Sequence, residues 1–512
     1  MPEARQLKIE DSDEPIKISK NLKEHLENTI TDELIIGLCG PIGTDIKYVS
    51  QKLKDLIQDS FNYECIEIKL SDYIKEQETF EKTTRNFEYY DGIIKKGNNL
   101  RKNRGNDILS KYAINEIAKN RVKKSDKING SEDLVYSKRI CYIINSIKHI
   151  DEYRLLKKVY QNIFYFVGVF SPLEVRKRNM ENNRIEKPDI EKLISVDSDQ
   201  KESYGQKVSK TFMNSDYFLR IEDSHDEKIN DKLLRFLDLI FGTKIITPSI
   251  DETAMYQASS AAANSACMSR QVGAAITNSK GDLISVGWND VPKAGGNLYT
   301  SNSQSDHRCI NKDGGKCFND SEKKLLIDLI SEELIKQNAI EKKQIDKVKE
   351  TLEDTRIKDL LEFSRAVHAE MHAIINATSK SGSEIINGKL YCTTYPCHNC
   401  ARHIVASGIS EVYYIEPYSK SLALKLHGDS ITERTEEDNR VKILMYDGVS
   451  PSRYIDLFKI LEGHSRKKNG SKILTPRKSA SPRKSISLDA IPYLEQKATQ
   501  ELHNLSILDN KE

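Results

Sequence analysis

Four side chains in one short stretch restrict the fold more than anything else in the chain. They are His368 and Glu370 in Ser364-Arg-Ala-Val-His-Ala-Glu-Met-His372, and Cys397 and Cys400 in Tyr395-Pro-Cys-His-Asn-Cys400. One imidazole and two thiolates suit a tetrahedral zinc ion and leave a fourth position for water. Glu370 follows the imidazole by two residues, where it reaches that water without ligating the metal. Between the two pieces, Lys389-Leu-Tyr-Cys-Thr-Thr-Tyr395 is rich in strand formers. Pro396 suits the first turn of a helix, on which Cys397 and Cys400 share one side. The spacing therefore predicts a helix carrying His368 and Glu370, a strand, and a second helix presenting two thiols at its start. A helix N-terminus stabilises thiolates. His372 lies four after His368, but a zincin pair needs the Glu directly after the first His, and Ala369 is there. His372 is read as a packing or supporting residue. The bland alternative makes Cys397 and Cys400 small buried apolar residues.

With 79 basic and 77 acidic side chains, the chain lacks the basic surplus of a dedicated nucleic-acid binder. Its 512 residues suggest two or three domains, and 38% apolar with 30% charged residues fits a soluble protein with long charged helices. No apolar run reaches spanning length, and the polar opening MPEARQLKIEDSDEP is not a signal peptide. Nine scattered Cys fit a reducing compartment, so a cytoplasmic protein without a membrane partner is expected.

Residues 1–30 read as a flexible N-terminus. Residues 31–245 then alternate strands and helices, which means a parallel sheet in an α/β domain. The expected strands are Glu33–Gly40, Cys65–Leu70, Arg139–Ile144, Ile163–Phe170 and Asp216–Ile221, with one helix over 91–118 among the connections. The turn holding Gly37, Gly40, Gly43 and Thr44 has the strand–Gly–helix frame of a phosphate loop. It lacks the Lys and the hydroxyl that the Walker pattern places after the last Gly. Two readings stay open: a tight turn without a ligand, and a degenerate loop that holds a nucleotide through backbone N–H groups.

Thr247-Pro248 marks a boundary. The second domain, 246–460, is read as a helix over 250–268, a hairpin around Asn278-Ser-Lys-Gly281, the loop Asn289–Gly296, a charged helical insertion over 321–362, and then the His368 and Cys397 segments. Cys267, His307, Cys309 and Cys317 form a candidate second zinc site, against the alternative of a loop with incidental thiols. Residues 461–512, rich in Lys, Ser and Arg, read as a mobile tail.

The pattern His-x-Glu with Pro-Cys-x-x-Cys is the signature of zinc nucleobase deaminases. In that chemistry an activated water adds to C4 of cytosine, Glu370 takes its proton and delivers one to N3, and ammonia leaves. More broadly, residues 33–458 resemble the bacterial anti-phage dCTP deaminases, which fuse a degenerate P-loop kinase-like domain to a deoxycytidylate deaminase domain. The resemblance rests on Glu33-Leu-Ile-Ile-Gly-Leu38, Ile144-Asn-Ser-Ile-Lys-His149, Arg235-Phe-Leu-Asp-Leu-Ile-Phe-Gly242, Ser269-Arg-Gln-Val-Gly-Ala-Ala-Ile276, Gly287-Trp-Asn-Asp-Val-Pro292, Arg365-Ala-Val-His-Ala-Glu-Met371, Tyr395-Pro-Cys-His-Asn-Cys-Ala-Arg-His403 and Tyr414-Ile-Glu-Pro-Tyr-Ser-Lys-Ser421.

The resemblance implies a P-loop-like parallel-sheet domain followed by a cytidine-deaminase-like α/β/α domain. It implies Zn²⁺ on His368, Cys397 and Cys400, with Glu370 as proton shuttle. Asn289 then addresses the sugar, the backbone of Ala369 and of Tyr395 the cytosine edge, and Arg270 the phosphates. His372 departs from the Asn or Asp common at its position. The implied activity is deamination of free deoxycytidine nucleotides, dCTP and also dCMP, which starves an infecting phage of dCTP. A regulatory nucleotide or RNA at the N-terminal domain and a homo-oligomer are further expectations. Two other classes remain: a deaminase of polynucleotide cytosine or adenine, and a non-catalytic zinc-stabilised module that senses nucleotides.

Overall fold

The computed structural model describes residues 30–76, 86–125, 139–198, 200, 202–222, 228–418, 420–460, 465–473, 475–484, 486 and 490–504. The expected flexible segment 1–30 lies outside them except for Ile30.

Leu34-Ile-Ile-Gly-Leu-Cys39 is buried at every position, as a strand covered on both faces must be. This strand, β1, is followed by helix α1 (Ile46–Phe61), β2 (Glu64–Lys69), α2 (Phe87–Arg104), α3 (Ile108–Ser125), β3 (Ile140–Asn145), α4 (Ile150–Tyr160), β4 (Phe164–Phe170), α5 (Leu173–Asn182), α6 (Lys187–Ser198), β5 (Tyr217–Arg220) and α7 (Lys228–Phe241). The single helix expected over 91–118 is two helices, separated at Gly105–Asp107. Strands β1 to β5 run parallel in the order β5-β4-β1-β3-β2.

The second half contains α8 (Ile250–Ala262), β6 (Gly273–Thr277), β7 (Leu283–Trp288), α9 (Phe318–Lys336), α10 (Ile345–Glu353), α11 (Ala369–Ser381), β8 (Lys389–Thr394), α12 (His398–Ala406), β9 (Glu411–Glu416), β10 (Ile431–Thr432) and β11 (Val441–Met445). Its sheet has the order β10-β11-β9-β8-β6-β7, parallel from β10 to β8, with β6 antiparallel to both neighbours. Helix α8 ends six residues before the expected Met268.

Two glycine contacts show how the layers stack. A Cβ on Gly287 of β7 would lie 2.4 Å from the Ala369 carbonyl and the Ala373 nitrogen of α11. A Cβ on Gly273 of β6 would lie 1.9 Å from the Ala258 carbonyl of α8. Gly287 pairs with Ala274, the neighbour of Gly273, and successive residues of a strand face opposite sides. The two helices therefore cover opposite faces of the sheet, giving three layers, α/β/α. The molecule is thus α/β, with two mixed, parallel-rich sheets.

The halves are not separate along the chain. Strand β12 (Gly448–Val449) pairs antiparallel with β5 and completes the first sheet. The expected mobile tail is also corrected where it is described. Helix α13 (Ala490–Asn504) buries Ile491 and Leu502, and its buried Glu495 meets Arg121 of α3 and accepts from the Tyr160 hydroxyl at 2.8 Å. Arg121 also pairs with Glu33 at 2.6 Å. Upstream, Arg477 grips Asp238 of α7 through two bonds of 2.7 and 2.8 Å. The Lys/Arg/Ser composition looks solvated, yet its cations have buried carboxylates to pair with and its few apolar residues have a groove to fill.

Candidate active site

His368 has extended backbone and is the residue just before α11, so the expected helix begins after the imidazole, and Glu370 stands in its first turn. Cys397 likewise precedes α12 and accepts from the Cys400 N–H at 3.5 Å. Both ligand-bearing turns are thus helix N-termini aimed at one place, where the aligned peptide dipoles favour negative sulfur. The close approach at Gly287 seats α11 directly on the sheet, and β8 delivers α12 from the strand beside β6. The fold brings the two halves of the motif together in this way.

The His368 Nδ1 atom lies 3.4 Å from the Cys397 sulfur and 3.3 Å from that of Cys400. A tetrahedral zinc with ordinary Zn–N and Zn–S bonds separates such ligand atoms by about 3.6 Å. Among the described residues, this is the one His/Cys/Asp/Glu group whose ligand atoms gather closely enough for a metal ion. The donor set fits zinc, soft sulfur with imidazole and no crowding fourth side chain. Without a metal the group already shares charge: hydrogen bonds donated to the Cys397 sulfur by Cys400 and by His368 bring its thiol down to about 4. Its partner His368 is lifted to about 9 by the bond with Cys397. A cation that displaces these protons satisfies both. Glu370 is 4% exposed, and burial pushes its carboxyl up to about 7. That value suits a group that must both take and give a proton near neutrality.

His368, Glu370 and Cys397 open onto a cavity of about 380 Å³, also lined by Arg270, Asn289, Ala369, Thr394, Tyr395 and Tyr418, with Cys400 buried behind them. Thr394 and Tyr418 have no signal in the sequence pattern. The Asn289 amide is engaged with backbone: Oδ1 accepts from the Val272 N–H at 2.8 Å and Nδ2 donates to the Arg270 carbonyl at 2.9 Å. It therefore holds the turn that carries Arg270. Arg270 pairs with Glu416 at 3.0 Å and lies 5.7 Å from the Tyr418 ring centre. Asp290 extends the staple, accepting from the Ala266 N–H at 2.9 Å, while its carbonyl accepts from the Val367 N–H at 2.9 Å. Tyr395 donates its N–H to the Glu416 carbonyl at 2.8 Å. His372 is buried and supports the sheet: Nδ1 accepts from the Trp288 N–H at 3.2 Å and Nε2 donates to Asn297 at 2.9 Å. Burial holds its pKa below the usual range.

The candidate second zinc site is not drawn together among the described residues. Cys267, Cys309 and Cys317 line the mouth of the same cavity, but with His307 they do not form a ligand cluster. Three of the four have another neighbour at hand, and burial together with the nearby Cys267 and Cys317 raises the Cys309 thiol. Arg365 donates to the Cys309 sulfur at 3.8 Å, Ser269 contacts that of Cys317 at 3.6 Å, and the His307 ring lies edge-on to Tyr299 at 5.5 Å.

The glycine turn after β1 lies far along the chain and borders its own cavity of about 570 Å³. Gly37 packs in the sheet, where a Cβ would come within 2.7 Å of Ile147; at Gly40 it would lie 2.4 Å from the Val169 carbonyl. Gly43 has φ +85°, and a Cβ there would meet Arg176. Thr44 keeps a buried hydroxyl without a hydrogen-bond partner among the described residues. An internal carboxylate engages this turn: Asp197 accepts from the Ile42 N–H at 2.7 Å and from Lys148 at 2.8 Å. Lys148 also donates to the Gly40 carbonyl at 2.8 Å. Neither Asp197 nor Lys148 stands at a spacing that announces this.

No helix among the described residues is long and apolar enough to cross a membrane. Residues 248–416 match the family model of the cytidine and deoxycytidylate deaminase zinc-binding region. Over 55 residues the chain is 44% identical to ComE operon protein 2 of Bacillus subtilis (strain 168), and over another 55-residue match 42% identical to the deoxycytidylate deaminase of Enterobacteria phage T4. Each match takes in 11% of this chain, and the chain spans only 29% and 28% of those relatives. The dCMP deaminase from the cyanophage S-TIM5, solved with dCMP and dUMP, aligns over 39% of this chain and 99% of its own, with 19% identity and a TM-score of 0.24. Residues 248–416 are thus similar to the cytidine and deoxycytidylate deaminase zinc-binding region, and the cofactor of that region is zinc.

Proposed function

We propose that this chain is a zinc-dependent hydrolase that deaminates free deoxycytidine nucleotides, dCTP and also dCMP, to deoxyuridine nucleotides. The observation that carries this reading is the gathered His368/Cys397/Cys400 group, of which His368 and Cys397 line one cavity together with the buried Glu370. Zinc on that group supplies a Lewis acid that makes water acidic near neutral pH. Glu370 takes a proton from the water as its oxygen adds to C4, passes one to N3, and assists the amino group to leave as ammonia. The backbone at Ala369 and Tyr395 addresses the base edge. Asn289 holds the sugar side of the cavity in shape, and Arg270 meets phosphate.

Offering zinc-loaded protein dCMP, dCDP, dCTP, CTP and single-stranded DNA in separate reactions tests this. Uracil nucleotides are expected from the free deoxynucleotides. Ammonia released only from the polymer would replace this reading with a polynucleotide deaminase.

The biological role that fits such an activity is depletion of dCTP during phage infection, supported by the resemblance of both halves to anti-phage enzymes. We place it in the cytoplasm, as a homo-oligomer, with a nucleotide or RNA at the N-terminal half as the control. Such a ligand must prefer one state of the deaminase half to exert control. Phage-challenged cells with the wild-type chain should lose dCTP, and cells with Glu370→Gln should not. Equal dCTP pools in the two would remove the defensive role.

A further inference from the structure

The charged insertion expected over 321–362 forms part of the cavity wall. Phe318 and Lys323 of α9, and Lys358 after α10, line the same cavity as His368 and Glu370. The two lysines are tied together, since the Lys323 ammonium donates to the Lys358 carbonyl at 2.8 Å. The insertion is fastened to the opposite wall through Asp359, which pairs with Lys420 at 2.6 Å. Phe318 is held under the Arg365 guanidinium, 5.2 Å from the ring centre. Five cationic side chains, from Arg270 to Lys420, stand in the lining with the acids Asp320 and Glu370, and three of the five also face a carboxylate: Arg270 that of Glu416, Lys358 that of Asp354 and Lys420 that of Asp359. Glu370 is buried, whereas the Lys323 ammonium and the Arg365 guanidinium are held by a carbonyl and by a sulfur and a carbonyl, partners that carry no full negative charge.

A base and sugar need none of these cations. One phosphate carries at most two negative charges, which one or two cations match. A wall of cations continuing from Arg270 onto the insertion suits a longer anion, because fixed ammonium groups around a low-dielectric cleft attract and orient polyphosphate. We propose that Lys323 and Lys358 form the subsite for the phosphates beyond the first, so the insertion sets the phosphate number the enzyme prefers. This rests on the reading that the cavity deaminates deoxycytidine nucleotides.

The test is steady-state kinetics with dCMP and dCTP on zinc-loaded Lys323→Glu, Lys358→Glu and the double variant, with zinc content measured on each. Lys336→Glu serves as control: it lies at the far end of α9, with a 77% exposed side chain. The ratio of kcat/KM for dCTP to that for dCMP should fall at least tenfold in the double variant, mainly through KM. It should stay constant in the control. The neutral Lys323→Gln/Lys358→Gln pair should give a smaller fall in the same direction, which separates lost attraction from added repulsion. A ratio unchanged in every variant, with deamination intact, overturns the subsite and leaves the deaminase reading standing. A zinc-loaded wild-type protein that converts no deoxycytidine nucleotide overturns the deaminase reading itself.

Discussion

Two strand-to-helix turns carry the two candidate sites of this chain, and they are finished in opposite ways. After β1, four backbone groups of the turn around Gly40–Asp45 are taken up by side chains. Asp197 caps the Ile42 N–H, Lys148 the Gly40 carbonyl, Arg176 the Ile42 carbonyl and Asn179 the Gly43 carbonyl. After β8, the turn around Pro396–Cys400 points two sulfurs and an imidazole at one another next to a cavity, with a buried carboxyl alongside. Both turns have the frame that binds anions or metals. At the first, side chains of the same half take up one N–H and three carbonyls, while at the second the ligand atoms face one another with no other side chain between them. A turn motif therefore marks where binding is geometrically possible, while the partners of its polar groups decide whether binding is left to do.

The sharpest way to break the contrast is at the second turn. Cys397→Ala should lose zinc and all measurable turnover, because two remaining ligands cannot hold the ion; metal analysis and assay of the purified protein check both. Retention of a full zinc complement would mean that the ion sits elsewhere. Glu370→Gln should keep zinc and lose about 10²- to 10⁴-fold in kcat, the usual scale for general acid–base catalysis. A kcat within tenfold of wild type would remove the proton shuttle.

At the first turn the expected effect is on folding. Asp197→Ala leaves the Ile42 N–H and the Lys148 ammonium without that carboxylate, at a cost of about 3 to 5 kcal/mol in chemical unfolding. Zinc content should not change. If this variant were as stable as wild type, the turn would not depend on its internal carboxylate.

The smallest effect sharpens the comparison through pH. In metal-stripped protein the folded state holds the Glu370 proton more tightly than the unfolded state, because burial lifts that carboxyl to about 7. The group's contribution to stability is full below the unfolded carboxyl range near 4 and is lost as pH rises through about 7. Relative to Glu370→Gln, stripped wild type should lose about 3 kcal/mol between about pH 5 and about pH 8. Parallel curves for the two proteins would show that this carboxyl is not buried as described.

What the sequence discloses follows from how locally each feature is encoded. The His368 and Cys397 groups are legible because ligand spacing, a strand former run and a helix start all fall within some thirty residues. Parallel strands such as β1 and β4 announce themselves as unbroken apolar runs. Other features depend on residues brought together from far apart. Nothing near Gly40 points to Asp197, and nothing near Asn289 says that its amide will bind the 270–272 backbone rather than stay free. Cys267, Cys309 and Cys317 read as ligands by type, yet the fold distributes them around a cavity mouth. The charged composition after residue 461 conceals that Arg477 and Glu495 have buried partners.

One feature of the architecture bears on how the protein comes into being. The outer edge of β5 is covered by Gly448–Val449, and Arg121 is enclosed by Glu495, both encoded near the end of the chain. A ribosome releases the first sheet long before it releases these pieces. Until they arrive, a nascent chain shows an unpaired strand edge and an incompletely neutralised arginine, features that invite association with neighbouring chains. The zinc-binding half needs neither segment to form its own sheet, so the half that is translated first is the one finished last.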